Sequence, residues 1–329
     1  MAKRLGNRLS ALRQVKNPQQ PTQLETYIAS RSDIESSVEV STYDSFANRM
    51  VAQYGALAGM EPVTLMEQSQ EYQLMHQVVS EYPGEISDAD SPHINTVIAK
   101  ALALEHQLGA FSVTPQKAQQ VFTTYQEHSA QLLQQLEAAV QACKSLDGRA
   151  TGESTLREDL EKMQSGIGLR LDLLGVVAAY RQAKAERSWV TFNDQTNRAL
   201  ELAQNPEIVQ ALRQRYRVVL LDEFQDTSVA QMKFLGALFG GHPVTAVGDP
   251  NQAIYGWRGA SADSMGQFDT YFAHSEKNAG DSSPDTKHLH LTTAWRNDRS
   301  ILKGANVTIR PFLEAPDSEV RPLRARQNA

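Results

Sequence analysis

Cysteine is almost absent from this sequence of 329 residues, in which Cys143 stands alone. A single cysteine excludes an internal disulfide framework and any zinc or iron–sulfur site built from cysteines. Long apolar runs are absent as well. No stretch reaches the ~20 apolar residues of a membrane-spanning helix, and none follows the basic N-terminus as in a signal peptide. These absences favour a protein of the reducing cytoplasm that makes no contact with a membrane.

The sequence also lacks an excess of positive charge. The sequence has 32 Lys and Arg against 38 Asp and Glu, which gives a net charge of -6. A generally basic surface is thus excluded, and a nucleic-acid partner would have to bind in a local groove. With 41% hydrophobic residues the chain can form a core, and its length favours about two domains.

A glycine followed by lysine does not occur either, although the chain has 19 glycines. A P-loop requires a glycine-rich turn that ends in Gly-Lys-Ser or Gly-Lys-Thr, because its backbone N–H groups and its lysine hold the phosphates of a nucleotide. The standard phosphate-binding loop is therefore missing from this sequence.

The composition along the chain predicts a large helical segment near its middle. Residues 55–187 are rich in Gln, Glu, Ala and Leu, with helical periodicity and few β-branched runs. Before this segment, residues 1–16 predict an amphipathic helix and residues 38–42 alternate like a short strand. Asp44 or Ser45 is predicted to cap the helix that follows.

After Trp189 the pattern changes to alternating strands and helices. It consists of apolar runs at 218–221, 244–247 and 288–293 and of a helical segment at 229–239. The first two runs predict buried parallel strands, and Gly240 and Gly241 predict the end of the helix. A further helix is predicted from about Asp298. The predicted fold class is α/β, with a parallel sheet flanked by helices.

Two carboxylates follow the first apolar run, in the sequence VVLLDEFQDT at 218–227. Asp222 and Glu223 are predicted at the carboxyl end of a buried strand, where α/β sheets bind ligands. One carboxylate can hold Mg²⁺, and its neighbour can orient or deprotonate a water molecule. The alternative is an acidic turn without a ligand. The Gln-Asp-Thr that follows favours the site.

A second polar segment, GDPNQAIYGWRGA at 248–260, begins where the next strand ends. Gln252 is predicted to face the same crevice as Asp222 and to reach a phosphate or the attacking water. Tyr255, Trp257 and Arg258 place two aromatic rings and a cation together, as base stacking on single strands requires. The alternative is a loop that packs its Tyr and Trp into the core.

A third segment, LTTAWRN at 291–297, carries another aromatic residue beside an arginine. The Arg296 guanidinium can bind phosphate through two hydrogen bonds, and the Trp295 ring can stack on a purine.

These segments resemble conserved motifs of the UvrD/Rep/PcrA family of superfamily 1A DNA helicases. DEFQDT resembles motif II, GDPNQAIYGWRGA motif III, LTTAWRN motif IV, and VSTYDSFANRM at 40–50 motif Ib. The amino-acid sequences of motifs III and IV are also similar to those of actinobacterial helicase–nuclease subunits. The resemblance implies an incomplete RecA-like P-loop NTPase domain with a large, all-helical insertion subdomain. It also implies an ATP-dependent DNA helicase or translocase of DNA repair or recombination.

The resemblance implies ATP and Mg²⁺ as cofactors and a role for each residue near them. Asp222 would coordinate Mg²⁺, and Glu223 would be the general base for ATP hydrolysis. Gln252 would sense the γ-phosphate, which Arg296 would contact from a second RecA-like domain. Trp295 stands where the family usually has a Tyr stacked on adenine.

The resemblance also implies single-stranded DNA or DNA ends as a partner. It assigns DNA contacts to Thr42, Ser45, Tyr255, Trp257 and Arg258. Asp44 replaces the usual His of motif Ib, so that part of the DNA contact is altered in this chain.

The implied domain organisation has four segments. Residues 1–54 would be a remnant of RecA-like domain 1A, 55–187 a helical insertion like subdomain 1B, 188–287 the rest of domain 1A, and 288–329 the start of domain 2A. The missing N- and C-terminal parts of a parent helicase, and a helicase–nuclease partner subunit, would then be partners. Without a P-loop, we expect this chain alone to be inactive in ATP hydrolysis. The alternative is an ATPase-dead module that binds DNA or another protein.

Overall fold

The computed structural model describes residues 38–86, 93–145, 153–256, 264–273, 286–313 and 321–326. The chain forms two compact units, Met1–Phe272 and Ala273–Ala329. The N-terminal helix predicted over 1–16 lies outside the described residues, as do Trp257 and Arg258.

Among its described residues, the first unit contains helices and four short strands. Its helices are α1 (Tyr43–Tyr54), α2 (Gln68–Glu81), α3 (Ile94–Ala110), α4 (Pro115–Ser145), α5 (Glu153–Glu186), α6 (Phe192–Leu202), α7 (Pro206–Arg215), α8 (Val229–Phe239) and α9 (Phe268–Phe272). Its strands are β1 (Thr64–Leu65), β2 (Trp189–Val190), β3 (Val219–Leu221) and β4 (Val244–Ala246). Single 3₁₀ turns lie at Gly55–Ala58, Phe224–Asp226 and Pro250–Gln252.

The second unit contains β5 (Thr293–Ala294), α10 (Arg299–Thr308), α11 (Arg310–Leu313) and β6 (Arg324–Ala325). The helix predicted from about Asp298 is confirmed, with Asp298 at its N-cap position. The strand predicted over 288–293 is wrong except for its last residue, because β5 starts at Thr293 and its partner β6 has only two residues.

All strand pairs among the described residues are parallel. They are β1 with β2, β3 with β4, and β5 with β6. In the β3–β4 pair, Val219 lies opposite Val244 and Leu221 opposite Ala246, so both strands end at the same edge of this sheet. A mostly helical α/β fold with small parallel sheets is therefore the architecture of the described residues.

Other sequence predictions about strands are also wrong. The run at 244–247 was expected to be a buried strand, yet β4 is only partly buried and Val247 is 46% exposed. The run at 218–221 was expected to be buried on both faces, yet Val218 and Leu220 are 65% and 69% exposed while Leu221 is buried. No described element covers the face that carries Val218 and Leu220. Residues 38–42 form no strand, because side chains rather than a backbone ladder hold this segment.

The contact that holds residues 38–42 is made by Glu39. Its carboxylate accepts a hydrogen bond from the Tyr216 hydroxyl at 2.7 Å. It also forms ion pairs with Arg49 of α1 and, at 3.2 Å, with Arg215 at the end of α7. The segment that leads into α1 is thereby fixed to two helices.

One hydrophobic cluster surrounds β3 and β4, and its centre is α8. Residues buried there include Phe224, Phe234 and Leu238. The predicted bounds of α8 are confirmed, and a capping box between Ser228 and Gln231 begins it. Its last turn ends at Gly240 as predicted. More than one side of α8 is buried, because helices α3, α6, α7 and α9 all contact it.

A second hydrophobic cluster lies among α2, α3 and α5 and the start of α4. Met75, Ile98 and Tyr180 are completely buried in it. The predicted helical character of 55–187 is thus confirmed for the described residues, where β1 is the exception. Both clusters belong to the first compact unit. No described helix combines the length and the apolar character needed to cross a bilayer.

A buried ion network joins the two clusters. The Lys184 ammonium on α5 lies 3.0 Å from a Glu105 oxygen on α3 and 2.6 Å from an Asp194 oxygen on α6. Arg181 binds the other Glu105 oxygen at 2.7 Å. The side chains of Lys184 and Glu105 are each only 4% exposed. Thr191 completes the network by donating its N–H and hydroxyl to Asp194.

We expect Lys184→Met to lower the free energy of unfolding by about 3–5 kcal/mol, because it leaves Asp194 without its cation and leaves the buried Glu105 with Arg181 alone. Arg157→Met is the matched control on the same helix, since Arg157 pairs with the exposed Glu137 and such pairs contribute about 1 kcal/mol or less. Urea denaturation measures both. Equal losses in the two variants would contradict the role of the network.

The network also predicts a pH dependence. Burial alone would raise the pKa of Asp194, but Lys184 and hydrogen bonds from Thr191 outweigh burial and lower that pKa from its ordinary 3.8. A lowered folded-state pKa gives stability that is present above 3.8 and lost as the pH falls through the folded value. We therefore expect the difference in unfolding free energy between wild type and Asp194→Asn to shrink in acid below this pH. A difference that stays constant there would contradict this assignment.

Candidate nucleotide-binding and DNA-binding site

The two carboxylates predicted from the sequence follow the end of β3. Asp222 and Glu223 are both exposed, whereas the neighbouring Phe224 is completely buried. The Phe224 N–H donates to the Val247 carbonyl at 3.0 Å and fixes the 3₁₀ turn to the end of β4. The structure therefore anchors this acidic turn in the core by Phe224 and leaves its carboxylates in solvent.

Glu223 has an unusual backbone conformation. Its φ of 51° and ψ of 41° lie in the left-handed region, which non-glycine residues adopt at a cost of about 1–3 kcal/mol. The Glu223 N–H donates to the Asp222 Oδ1 at 3.1 Å. Such conformations concentrate at functional sites, where the surrounding contacts hold them.

Gln225 connects the two predicted motifs, a role that the sequence analysis missed. Its side chain is buried. Its Nε2 donates to Glu223 Oε2 at 2.7 Å, and its Oε1 accepts from the backbone N–H of Asp249 at 3.1 Å. The glutamine thus orients the Glu223 carboxylate and ties it to the end of β4. The available signal was an amide two positions after Glu223, in the sequence Asp-Glu-Phe-Gln.

Gly248 allows Gln225 to reach the end of β4. A Cβ atom at position 248 would lie 2.5 Å from Gln225 Oε1 and 2.9 Å from Met265 Sδ. Both distances are shorter than real Cβ contacts, so only glycine fits while Gln225 keeps its place.

Gln252 lies on the 3₁₀ turn after β4, and its side chain is held. Its Nε2 donates to Asp249 Oδ2 at 2.8 Å, while Asp249 Oδ1 accepts from the Asn251 N–H at 3.0 Å. Because β3 and β4 are parallel and in register, Gln252 and Asp222 follow strand ends at the same edge of the sheet. That Gln252 faces the same crevice as Asp222 and reaches a phosphate stays a prediction.

The charges of this edge affect neighbouring acids. Burial, and secondarily the Glu223 carboxylate, raise the pKa of Asp226. Among the described residues no group of three or more His, Cys, Asp or Glu side chains forms a metal cage. A cation at this edge would therefore need ligands beyond the protein carboxylates, such as phosphate oxygens and water.

The N-terminus of α1 contains the predicted DNA contacts Thr42 and Ser45, which are both exposed. Thr42 is the N-cap: its Oγ1 accepts from the Ser45 N–H at 3.1 Å. The predicted caps Asp44 and Ser45 are therefore wrong, because the hydroxyl one turn earlier has the N-cap geometry. Asp44 instead accepts a hydrogen bond from Gln231 Nε2 of α8 at 2.8 Å.

The structure describes some of the remaining predicted residues. Tyr255 is 37% exposed in the loop after the turn that carries Gln252, and Trp257 and Arg258 lie outside the described residues. Trp295 and Arg296 are exposed and belong to the second unit.

Comparison with known proteins decides the family. Residues 1–273 match the model of the UvrD/REP helicase N-terminal domain. This chain belongs to that family. The resemblance inferred from its motifs is thereby confirmed.

The similar proteins include a DNA helicase and components of larger enzymes. DNA helicase II of Escherichia coli (strain K12) is 35% identical over 136 residues, which are 41% of this chain and 17% of that protein. The RecBCD enzyme subunit RecB of Mycobacterium tuberculosis (strain ATCC 25618 / H37Rv) is 38% identical over 123 residues, 36% of this chain and 10% of that protein. An ATP-dependent helicase/nuclease subunit of Alkaliphilus metalliredigens (strain QYMF) is 28% identical over 164 residues, 50% and 13% respectively. The chain thus matches a small part of each relative.

We expect Gly248→Ala to destabilise the chain by about 1–3 kcal/mol, as overpacking does, and to displace the Gln225 side chain. Gly168→Ala on α5 is the matched control, because nothing lies within 4 Å of a Cβ atom there, and alanine favours a helix by up to about 1 kcal/mol. Chemical denaturation of both variants checks this. A neutral Gly248→Ala would contradict the packing described here.

Proposed function

We propose that this chain is the core part of an ATP-dependent DNA helicase or translocase that moves on single-stranded DNA during repair or recombination. The observation that carries the proposal is the exposed carboxylate pair at the end of β3, in which Gln225 orients Glu223 and binds the end of β4. Membership of the UvrD/REP helicase N-terminal domain family supports it, as does the similarity to proteins named DNA helicase II and RecB.

The carboxylate pair fits two roles in nucleotide hydrolysis, which are binding the metal ion and activating the attacking water. Asp222 offers carboxylate oxygens, the ligands that Mg²⁺ prefers. Bound Mg²⁺ and ATP would supply the phosphoryl group and neutralise its charge. In our proposal Glu223 accepts the proton of the attacking water, and Gln225 holds one of its oxygens so that the carboxylate keeps its direction. Gln252, held by Asp249, would respond to the γ-phosphate.

The residues of this chain do not fit the phosphate-binding part of an ATP site, because no Gly-Lys occurs in the sequence. We therefore propose that turnover requires a P-loop in addition to these 329 residues. We also propose that Trp295 and Arg296 contact ATP from a second RecA-like domain, and that α2–α5 form a helical insertion like subdomain 1B. We further propose a helicase–nuclease subunit as a partner. The similarity to RecB and to the helicase/nuclease subunit of Alkaliphilus metalliredigens supports this.

For DNA, we propose that the exposed hydroxyls of Thr42 and Ser45 contact phosphates at the N-terminus of α1, where backbone N–H groups favour anions. Tyr255, Trp257 and Arg258 would stack on or position the bases. The second candidate is an ATPase-dead DNA-binding module, which the missing Gly-Lys favours. ATP hydrolysis separates the two candidates.

The ATPase test uses the purified chain and the longest in-frame product of its gene. We expect the chain alone to stay at background. In a longer product with a P-loop, Glu223→Gln should lower kcat by about 100-fold or more, the usual contribution of a general base, while ATP binding persists. Glu201→Gln on the exposed face of α6 is the control. Loss of ATP binding in parallel with rate would assign Glu223 a structural role, and a longer product without ATPase activity would favour the dead module.

The DNA test uses Trp257. Trp257→Ala should weaken binding of a fluorescent oligo-dT by about 1–3 kcal/mol, the range for one lost base stack, with an unchanged salt dependence because no phosphate contact is lost. Trp189→Ala is the matched control, because Trp189 packs against the helical cluster and its loss should lower stability without changing DNA affinity. Unchanged affinity of Trp257→Ala with a stability loss of about 3–5 kcal/mol would place Trp257 in the core instead.

A further inference from the structure

The hydroxyl of Tyr43 connects the N-terminus of α1 to the carboxylate pair. It donates to the backbone carbonyl oxygen of Asp222 at 2.7 Å, across 179 positions of sequence. Burial, with the Asp222 and Glu223 charges, raises the pKa of Tyr43 to about 12.

The carbonyl that Tyr43 binds belongs to the peptide group between Asp222 and Glu223. The N–H of the same peptide donates to Asp222 Oδ1, so the peptide plane is held at both ends. Rotation of this plane changes the φ of Glu223, which is 51°. A strained φ persists only while its surroundings enforce it, and the Tyr43 hydroxyl is one of the groups that do so.

The next residue, Asp44, makes a second connection to the same region. Its Oδ1 accepts from Gln231 Nε2 at 2.8 Å, and Gln231 Oε1 accepts from the Ser228 N–H at 3.0 Å. Ser228 lies two residues after the 3₁₀ turn Phe224–Asp226 and caps α8. Two successive side chains of α1 therefore bind the start and the continuation of the segment that carries Glu223.

We propose that Tyr43 is a positioning residue for Glu223 and links the N-terminus of α1 to the carboxylate pair. Thr42 and Ser45, which flank Tyr43 closely, are the residues to which the proposed function assigns DNA phosphates, and the DNA half of this inference rests on that function. A shift of the α1 N-terminus on binding DNA would move the Tyr43 hydroxyl and with it the Asp222–Glu223 peptide.

Tyr43→Phe tests this proposal because it keeps the ring and removes only the hydroxyl. Amide hydrogen exchange at residues 222–227 of the full chain is measured with and without oligo-dT, and oligo-dT affinity is measured by anisotropy. Without DNA, exchange in this segment should be about fivefold faster in Tyr43→Phe, as expected for one lost hydrogen bond. Oligo-dT should change exchange at 222–227 in the wild type and not in the variant, while the affinity stays within about twofold.

Two control variants separate positioning from a general loss of structure. Tyr54→Phe removes a hydroxyl from the other end of α1 and should leave exchange at 222–227 unchanged. Asp44→Ala keeps the Tyr43 hydroxyl and should change it less than Tyr43→Phe does. Wild-type exchange in Tyr43→Phe, or equal effects in Tyr54→Phe, would overturn the positioning role.

The proposed link between DNA binding and Glu223 is tested separately by the measurements with oligo-dT. If oligo-dT binds the wild type without changing exchange at 222–227, the link to DNA is overturned while the proposed function stands. If oligo-dT does not bind at all, the proposed DNA contacts fail, and the DNA-free comparison alone decides whether Tyr43 positions Glu223.

Discussion

The side-chain amide of Gln225 is the contact on which the candidate site depends. It reaches from the end of β3 to the end of β4, with one atom on the Glu223 carboxylate and the other on the Asp249 N–H. Since the Gln225 side chain is buried, leaving either polar end without a partner would cost about 1–3 kcal/mol. The glutamine is therefore held to both partners. The orientation of the Glu223 carboxylate is thus fixed by the edge of the sheet and not by an exposed loop. Gly248 leaves the space that this arrangement requires.

A second constraint fixes the helices to this sheet. Lys184 is buried between Glu105 of α3 and Asp194 of α6, and α6 in turn packs against α1 and α8. The helical cluster is therefore joined to the β3–β4 cluster by charges that separate only at high cost. Through α6, this second constraint acts on α1 and α8, the helices that border the acidic turn.

The sequence predicted those parts of the molecule that local chemistry determines. The bounds of α8 follow from its apolar spacing and its terminal glycines, and the placement of Asp222 and Glu223 follows from a strand that ends in acids. It did not predict the Tyr43 contact, because that hydrogen bond joins positions 179 residues apart and depends on how α1 packs. It also failed at 38–42, where alternation indicated a strand but Glu39 binds the segment through side chains.

The most direct test of this account is paramagnetic broadening of amide NMR signals by Mn²⁺-ATP, with Mn²⁺ in place of Mg²⁺. The method detects weak binding, which matters for a sequence without a P-loop. The account predicts broadening concentrated at residues 222–226 and 248–252, no comparable effect in the cluster of α2, α3 and α5, and loss of the broadening in Asp222→Asn. Broadening that spreads over other acidic surfaces, or that persists unchanged in Asp222→Asn, would contradict the assignment of this sheet edge to the nucleotide.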